Sequence, residues 1–373
     1  MKIVAIKATP VTVGFIAPSV SAMGSGNAIT RTIVEVETDD GIKGLGETGG
    51  SHVAAVIERK FKPTLIGEDP RERTRLRDRC LPAFRDYGMP ISGIELAAFA
   101  GVEMALWDIL GKVLNLPLYR VLGGAVRPRA LFSSYAFNTH ADEGSEKEVP
   151  GKMAALASRQ VKEMGASIFE FKVASHSVGC DIETVQEIRR AVGRDVEIAV
   201  DANMRYSTDD ARRFLKAVGT ELANIEEPAS SLAGCARLRD DFGVPVSTHC
   251  TDFDTLQRFP QLDAVVGAVD QQGGIERTLE LATITSALGK RYWLRSCLEL
   301  GVAWAAMTHL GMASRHLDRP AQGLIHWVED DLVLGDIWSI RDGGVVAPER
   351  PGLGVELDVG AVAQAAERFA QTQ

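Results

Sequence analysis

Apolar and polar residues alternate from the start of the chain. The runs IVAIKATPVTV and TRTIVEVETDD repeat with a period of two, as half-buried strands do. Asp39 to Gly41 reads Asp-Asp-Gly, a hairpin signal leading into IKGLGE. From residue 52 the texture changes. Residues 52–65 and 71–86 have helical composition, and Ile91 to Val121 spaces its apolar positions as one or two helices. Gly123 and Gly124 end that stretch.

After Ala130 a third pattern begins. Eight short apolar runs recur: ALFSSYAF, IFEFKVA, VEIAVDAN, LANIEEP, VPVSTH, AVVGAVD, RYWLRSC and LIHWVED. Amphipathic segments such as DIETVQEIRRAVG, STDDARRFLKAVG and GIERTLELATITSALG separate them. In the second, Ser207 is a natural N-cap with Asp210 three residues on. Alternating strand and helix signals predict parallel βαβ units, and eight units close a barrel.

Barrel chemistry gathers at the C-terminal ends of the strands. The last polar residues of the runs are Tyr135, Lys172, Asp201 with Asn203, Glu226, His249, Asp270, Arg295 and Glu329. From Lys172 onward they are 29, 25, 23, 21, 25 and 34 residues apart, about one βα unit each time. Asp201 and Asn203 are two apart, so in a strand they would share a face and leave it together. A lone acid at a strand end is ordinarily a loop residue or a helix cap. A series from seven successive strands instead points into one mouth. Oxygen and nitrogen ligands from three consecutive strands, Asp201, Glu226 and His249, suit a hard divalent cation such as Mg²⁺. That ion would polarise a substrate carboxylate, with Lys172 as the base on the neighbouring strand.

Composition narrows the class. The chain has 373 residues, 45% hydrophobic and 24% charged, ordinary for a globular protein with room for two domains or a large barrel with additions. A formal net charge of −9 argues against nucleic acid and anionic membrane as partners. No basic n-region with an apolar core opens the chain, and no apolar run reaches bilayer length. Five scattered cysteines form neither a disulfide framework nor a CxxC zinc site. The expected setting is cytoplasmic.

These residues resemble the enolase superfamily, on its mandelate racemase/muconate lactonizing enzyme side, and most of all the glucarate dehydratase-like acid sugar dehydratases. TRTIVEVETDDGIKGLGETGG is similar to the family's capping hairpin, and GIELAAFAGVEMALWDILGK to its second helical signature. FKV, VDAN and IEEP match the base and metal strands in order. PVSTHCTD, WLRSCLELGVAWAAMTHLG and LIHWVE resemble the later strands, and VVAPERPGLGVELD the closing segment. The resemblance implies an α/β fold. A TIM-like, modified (β/α)7β barrel would occupy residues 127–340, under an α+β capping domain of residues 1–126. Residues 341–373 would return to the cap. It also implies a lyase with one Mg²⁺ per subunit. The enzyme would take the proton α to a carboxylate of a sugar acid or related hydroxy acid and eliminate water. A racemase, epimerase or cycloisomerase of the same superfamily, or a weakened carboxylate-binding protein, are the alternatives. Asp201 and Glu226 match metal ligands. His249 stands at the third ligand position, with Cys250 and Asp252 as spares. Lys172 matches the base. Tyr135, Asn203, His52 and Glu329 are the expected substrate contacts, with His176 as a further one. The implied partners are a small-molecule carboxylate and copies of the same chain in a homo-oligomer.

Two positions depart from the family pattern. Its KxK motif reads Glu170-Phe171-Lys172, so the helper lysine is an acid. Glu170 is expected beside the substrate, one layer deeper than Lys172, paired with Lys172 or Arg295. The strand-seven histidine of the family's His–Asp dyad is Arg295, with Asp270 from strand six. Asp270 and Arg295 thus remain the catalytic candidates there. Arginine does not accept a proton. Arg295 is therefore expected to hold a carboxylate bidentately or to pair with Asp270 or Glu170. The glycine-rich segments Ser21 to Ala28 and GLGETGG fit no phosphate-loop frame and resemble two mobile capping loops over the mouth.

Overall fold

The computed structural model describes residues 1–81, 93–139, 145–335 and 339–372. The end of the expected helical stretch 71–86 and the first residues of Ile91 to Val121 lie outside these.

The alternating start forms three antiparallel strands, β1 (Ile3–Ser21), β2 (Gly24–Thr38) and β3 (Lys43–Gly49), in that order. The Asp-Asp-Gly turn closes β2 on β3, with Thr38 N donating to Ile42 O at 3.0 Å and Gly41 at φ 79. Helix Gly93–Leu114 packs across β3. It comes so close that a Cβ at Gly46 would sit 1.8 Å from the Gly101 carbonyl oxygen. The glycines of KGLGE therefore serve helix–sheet approach, not an anion. Ser21 to Ala28 is the tip of the β1–β2 hairpin. It reaches the barrel: Val20 bridges to Asn138, and Arg205 donates to Met23 Sδ at 3.3 Å.

Parallel strands follow: β4 (Ala130–Ala136), β5 (Ile168–Lys172), β6 (Glu197–Asp201), β7 (Leu222–Glu226), β8 (Val246–Thr248), β9 (Ala264–Gly267), β10 (Arg291–Leu294) and β11 (Ala321–Gly323). They pair in the order β10-β9-β8-β7-β6-β5-β4-β11. Between β10 and β11 the ring is carried by a single bridge, Tyr292 to Leu317. The result is a nearly closed (β/α) barrel under an antiparallel cap. A short strand, β12 (Gly344–Val345), runs antiparallel to the start of β4, and helix Val359–Gln371 packs on β1.

Capping explains the clean boundaries of the intervening helices. Ser177, Ser207, Ser231 and Asp252 each accept from the backbone N–H three residues on. Gly165 and Gly243 close helices in the left-handed conformation. One apolar core fills the barrel and its helix layer, and a second lies within the cap. Among the described residues no helix is long and apolar enough to cross a membrane.

The eighth strand corrects an expectation. It is Ala321–Gly323, whereas LIHWVED forms a 3₁₀ turn, Ile325–Trp327, and an irregular segment. Ala-Gln-Gly lacks the β-branched and aromatic residues that mark a strand in sequence.

Candidate active site

Strand register assembles the site. Lys172 on β5 lies opposite Asp201 on β6, and Asp201 opposite Glu226 on β7. In-register parallel strands thus set three ionisable tips at one level. Lys172 Nζ forms an ion pair with Asp201 Oδ2. His249, just beyond β8, places Nε2 2.9 Å from Glu226 Oε1, and its Nδ1 faces the Val266 carbonyl at 3.1 Å. Tyr135, buried at the end of β4, lies under Lys172 with Nζ 5.7 Å from the ring centre. Asp201 and Asn203 do meet, but through a turn. β6 ends at Asp201, Asn203 adopts φ 46, and its N and Nδ2 donate to Asp201 Oδ1 and Oδ2 at 2.8 and 2.9 Å.

Burial and neighbouring charges set the protonation of these groups. Burial alone would raise the Asp201 carboxyl, but the Lys172 ammonium beside it brings it below its ordinary value. Burial likewise opposes the Lys172 charge, and Asp201 overrides it, holding the ammonium well above its usual range. Glu226 is raised by burial and then by Asp201. His249 is pushed up to about 9, because Glu226 outweighs the cost of burying an imidazolium. Glu170, buried next to Glu226, is raised to about 8.

The donor set fits a hard cation. Two buried carboxylates on adjacent strands supply oxygens, and Asn203 Oδ1 beside them is buried with no hydrogen-bond partner. An Nδ1–H bond to Val266 O would leave His249 Nε2 as its ligating nitrogen. Asp201, Glu226 and His249 form a row, with His249 at its far end. Among the described residues, the three side chains whose ligand atoms all lie within 4.8 Å of one another are a different group, Asp270, Cys297 and Glu299. That group already holds a cation, the Arg31 guanidinium from the cap.

Other expected site residues lie elsewhere. Asp270 contacts Arg31 Nη2 at 3.0 Å, a charge contact without hydrogen-bond alignment, and makes no ion pair with Arg295 within 4.0 Å. Arg295 donates to Gln271 Oε1 and reaches His249 Nε2 at 3.5 Å. Among the described residues no carboxylate lies within 4.0 Å of Arg295, and its Nε is buried without a partner. Glu170 pairs with neither Lys172 nor Arg295. It points one layer below Lys172, where Gln322 Nε2 donates to it at 2.8 Å. Glu329 follows the misassigned eighth run. It is 52% exposed, faces Arg368 at 3.7 Å and lies against Gly14. His52, itself exposed, opens helix His52–Val56 on the cap and lies against Gly50. Nearby Gly49 does reach the mouth: a Cβ there would sit 3.3 Å from Asp270 Oδ2. His176 is tied to Thr139 O at 2.8 Å. Asp252 caps helix Phe253–Arg258, and Cys250 is half-buried beside it.

Four residues escaped the sequence reading. Gln322 on β11 is 2% exposed and spans Glu170 and Glu226, at 2.8 and 3.2 Å. Arg31, Glu47 and Glu299 form the buried ionic group around Asp270. A strand end is the signal that would have found Gln322, had β11 been placed correctly. The others depend on contact between domains, which no local pattern carries.

A nearly closed parallel barrel under an antiparallel cap, with lysine, aspartate and glutamate on successive strand tips, defines an enolase-type scaffold. Residues 4–123 match the family described as mandelate racemase / muconate lactonizing enzyme, N-terminal domain, and residues 152–361 match the enolase C-terminal domain-like family. The chain belongs to this family, within the enolase superfamily. It is 29% identical to a probable glucarate dehydratase of Streptomyces coelicolor, over 96% of this chain and 89% of that protein. It is 32% identical to an arabinonate dehydratase of Saccharolobus solfataricus, over 87% of each. A Pseudomonas fluorescens enolase crystallised with magnesium, potassium and tartrate superposes with a TM-score of 0.88 at 26% identity, over 100% of this chain and 93% of that one.

Proposed function

We propose that this protein is a Mg²⁺-dependent acid sugar dehydratase in which Lys172 removes the proton α to the substrate carboxylate. The observation that carries the reading is the register of Lys172, Asp201 and Glu226 on three adjacent strands, with the unpartnered Asn203 Oδ1 beside them. The dehydratase names of two relatives and the magnesium and tartrate of a structural neighbour support it.

Asp201 and Glu226 would hold the ion, with His249 Nε2 or Asn203 Oδ1 as a further donor. When bound, the ion supplies Lewis-acid stabilisation of the enediolate charge. Lys172 gives up its Asp201 partner and its resting proton, the latter to water in the open mouth, and then accepts the α-proton at Nζ. The β-hydroxyl then leaves as water on taking a proton. The newly formed Lys172 ammonium is the acid at hand, joined by the His249 imidazolium only where Asn203 Oδ1, and not His249, completes the ion site. Arg295 binds an anionic group of the substrate, because a half-buried guanidinium with no carboxylate within 4.0 Å among the described residues is an anion receptor. Two-base racemisation would need a second acceptor, and the strand-seven position offers a guanidinium instead.

The experiment is a screen of aldonates, aldarates and uronates at fixed Mg²⁺ with detection of 2-keto acids. At least one sugar acid should yield a 2-keto acid. Tight binding of several acids with no keto acid from any would replace the lyase reading with that of a carboxylate-binding protein.

A further inference from the structure

The strand-six and strand-seven tips present an unusual accounting of charge. Two guanidiniums, Arg31 and Arg295, lie near one strand-six carboxylate, Asp270. The cap residue takes it. Arg31, 1% exposed on β2, makes two hydrogen bonds and one charge contact. Nε donates to Glu47 Oε1 at 2.6 Å, Nη1 to the Cys297 carbonyl at 3.0 Å, and Nη2 stands 3.0 Å from Asp270 Oδ2. Glu47 continues the link. Its two oxygens accept from Leu300 N and Ala303 N at 2.8 and 2.9 Å, at the start of helix Gly301–Ala313. Glu299 accepts from Cys297 N and Ser296 Oγ, both at 2.6 Å. Between them Leu298 adopts φ 60, a left-handed conformation that a leucine holds only when its surroundings impose it. The segment that begins at Arg295 is thus clamped from the cap, through its backbone.

We propose that Arg31 is a positioning residue for Arg295: by holding Asp270 and the Cys297 carbonyl, it keeps the strand-seven guanidinium free of protein carboxylates and aimed at the substrate anion. The proposal rests on the reading of Arg295 as the anion-binding group. Its physical core is competition. Asp270 is buried, and with Arg31 removed, Arg295 on the neighbouring strand is the cation left to pair with it. Pairing with Asp270 would spend the guanidinium internally. A lysine at position 31 would keep the charge but not the fork that reaches three partners.

The test is calorimetry with malonate at fixed Mg²⁺, which requires no turnover. Arg31→Gln should weaken malonate binding about tenfold or more, the scale of one lost charge-assisted hydrogen bond. Adding Asp270→Asn removes the competitor and should restore most of the affinity. A clamp with only a structural role gives the opposite result, a double variant that binds no better than the single one, and that result overturns the proposal. Unchanged affinity in Arg31→Gln overturns it too. If Arg31→Gln does not fold, Arg31→Lys with and without Asp270→Asn is read in the same way. In the parent, malonate binding indifferent to Arg295→Gln would sink the reading of Arg295 itself. That failure is distinct from a failure of rescue, which sinks only the role of Arg31.

Discussion

The two arcs of the barrel mouth are built on different principles. Along β5 to β8, the ionisable tips pair off between neighbouring strands: Lys172 with Asp201, and Glu226 with His249. These contacts follow from strand register and need nothing from outside the barrel. Along β9 to β11 the tips are handled from elsewhere. Asp270 belongs to the cap's Arg31, Arg295 has no carboxylate within 4.0 Å among the described residues, and β11 contributes the neutral Gln322. On the proposed function, the first arc would hold the proton-transfer and metal chemistry, where geometry tolerates little change. The second would meet the rest of the substrate, at the face the cap reaches through Arg31. A family scaffold can keep the first arc while the second is rewritten for a different ligand.

Substitutions in each arc should therefore fail differently. The largest effect belongs to Lys172→Ala, which should lower kcat by about 10³-fold or more while the protein still binds substrate and Mg²⁺, because a positioned base contributes on that order. A comparable loss in both kcat and Mg²⁺ affinity would mean that Lys172 is part of the ion site. Next is Asp201→Asn. Calorimetry should show Mg²⁺ affinity falling by about 100-fold with the fold intact by circular dichroism, and unchanged affinity would remove the row as a metal site. In the second arc, Arg295→Gln should raise KM by about 10- to 100-fold with a much smaller change in kcat, as expected for a lost charge-assisted bond. A kcat effect equal to that of Lys172→Ala would erase the distinction between the arcs.

The smallest effect calibrates both arcs from outside. His309 is buried beneath Tyr119, whose N–H points to its Nδ1 at 3.2 Å, and burial pushes its pKa down to about 4. Below the ordinary histidine value of about 6.5, the unfolded chain binds a proton that the folded one refuses. His309 thus makes stability fall as the pH drops from about 6.5 towards 4, by at most about 3 kcal/mol. In His309→Gln that component of the slope should vanish, measured as denaturant midpoints across the window. Parallel pH profiles for parent and variant would show that His309 is not held neutral.

The same contrast explains what the chain made legible. Lys172, Asp201, Glu226 and His249 each close an apolar run at βα spacing, so periodicity alone places them on one mouth. The antiparallel cap was visible in the alternation of β1 and β2. Gln322 was hidden because Ala-Gln-Gly is too short and too small to read as a strand, while the apolar LIHWVED beside it imitates one. That displacement carried Glu329 to the wrong place. Arg31 sits inside an alternating strand, where a charged residue ordinarily faces solvent. Its burial depends on Glu47, Cys297 and Asp270, residues 16, 266 and 239 positions away. The partner of Glu170, Gln322, lies on β11, a strand that periodicity did not reveal at all.

The central claim is that one base, Lys172, acts on one face of the substrate. Mass spectrometry of a turned-over sugar acid in deuterated water tests it directly. The recovered substrate of the parent enzyme should gain deuterium at the α-carbon of a single stereoisomer, and Lys172→Ala should gain none. Deuterium persisting in Lys172→Ala, or entering from both faces in the parent, would contradict the account.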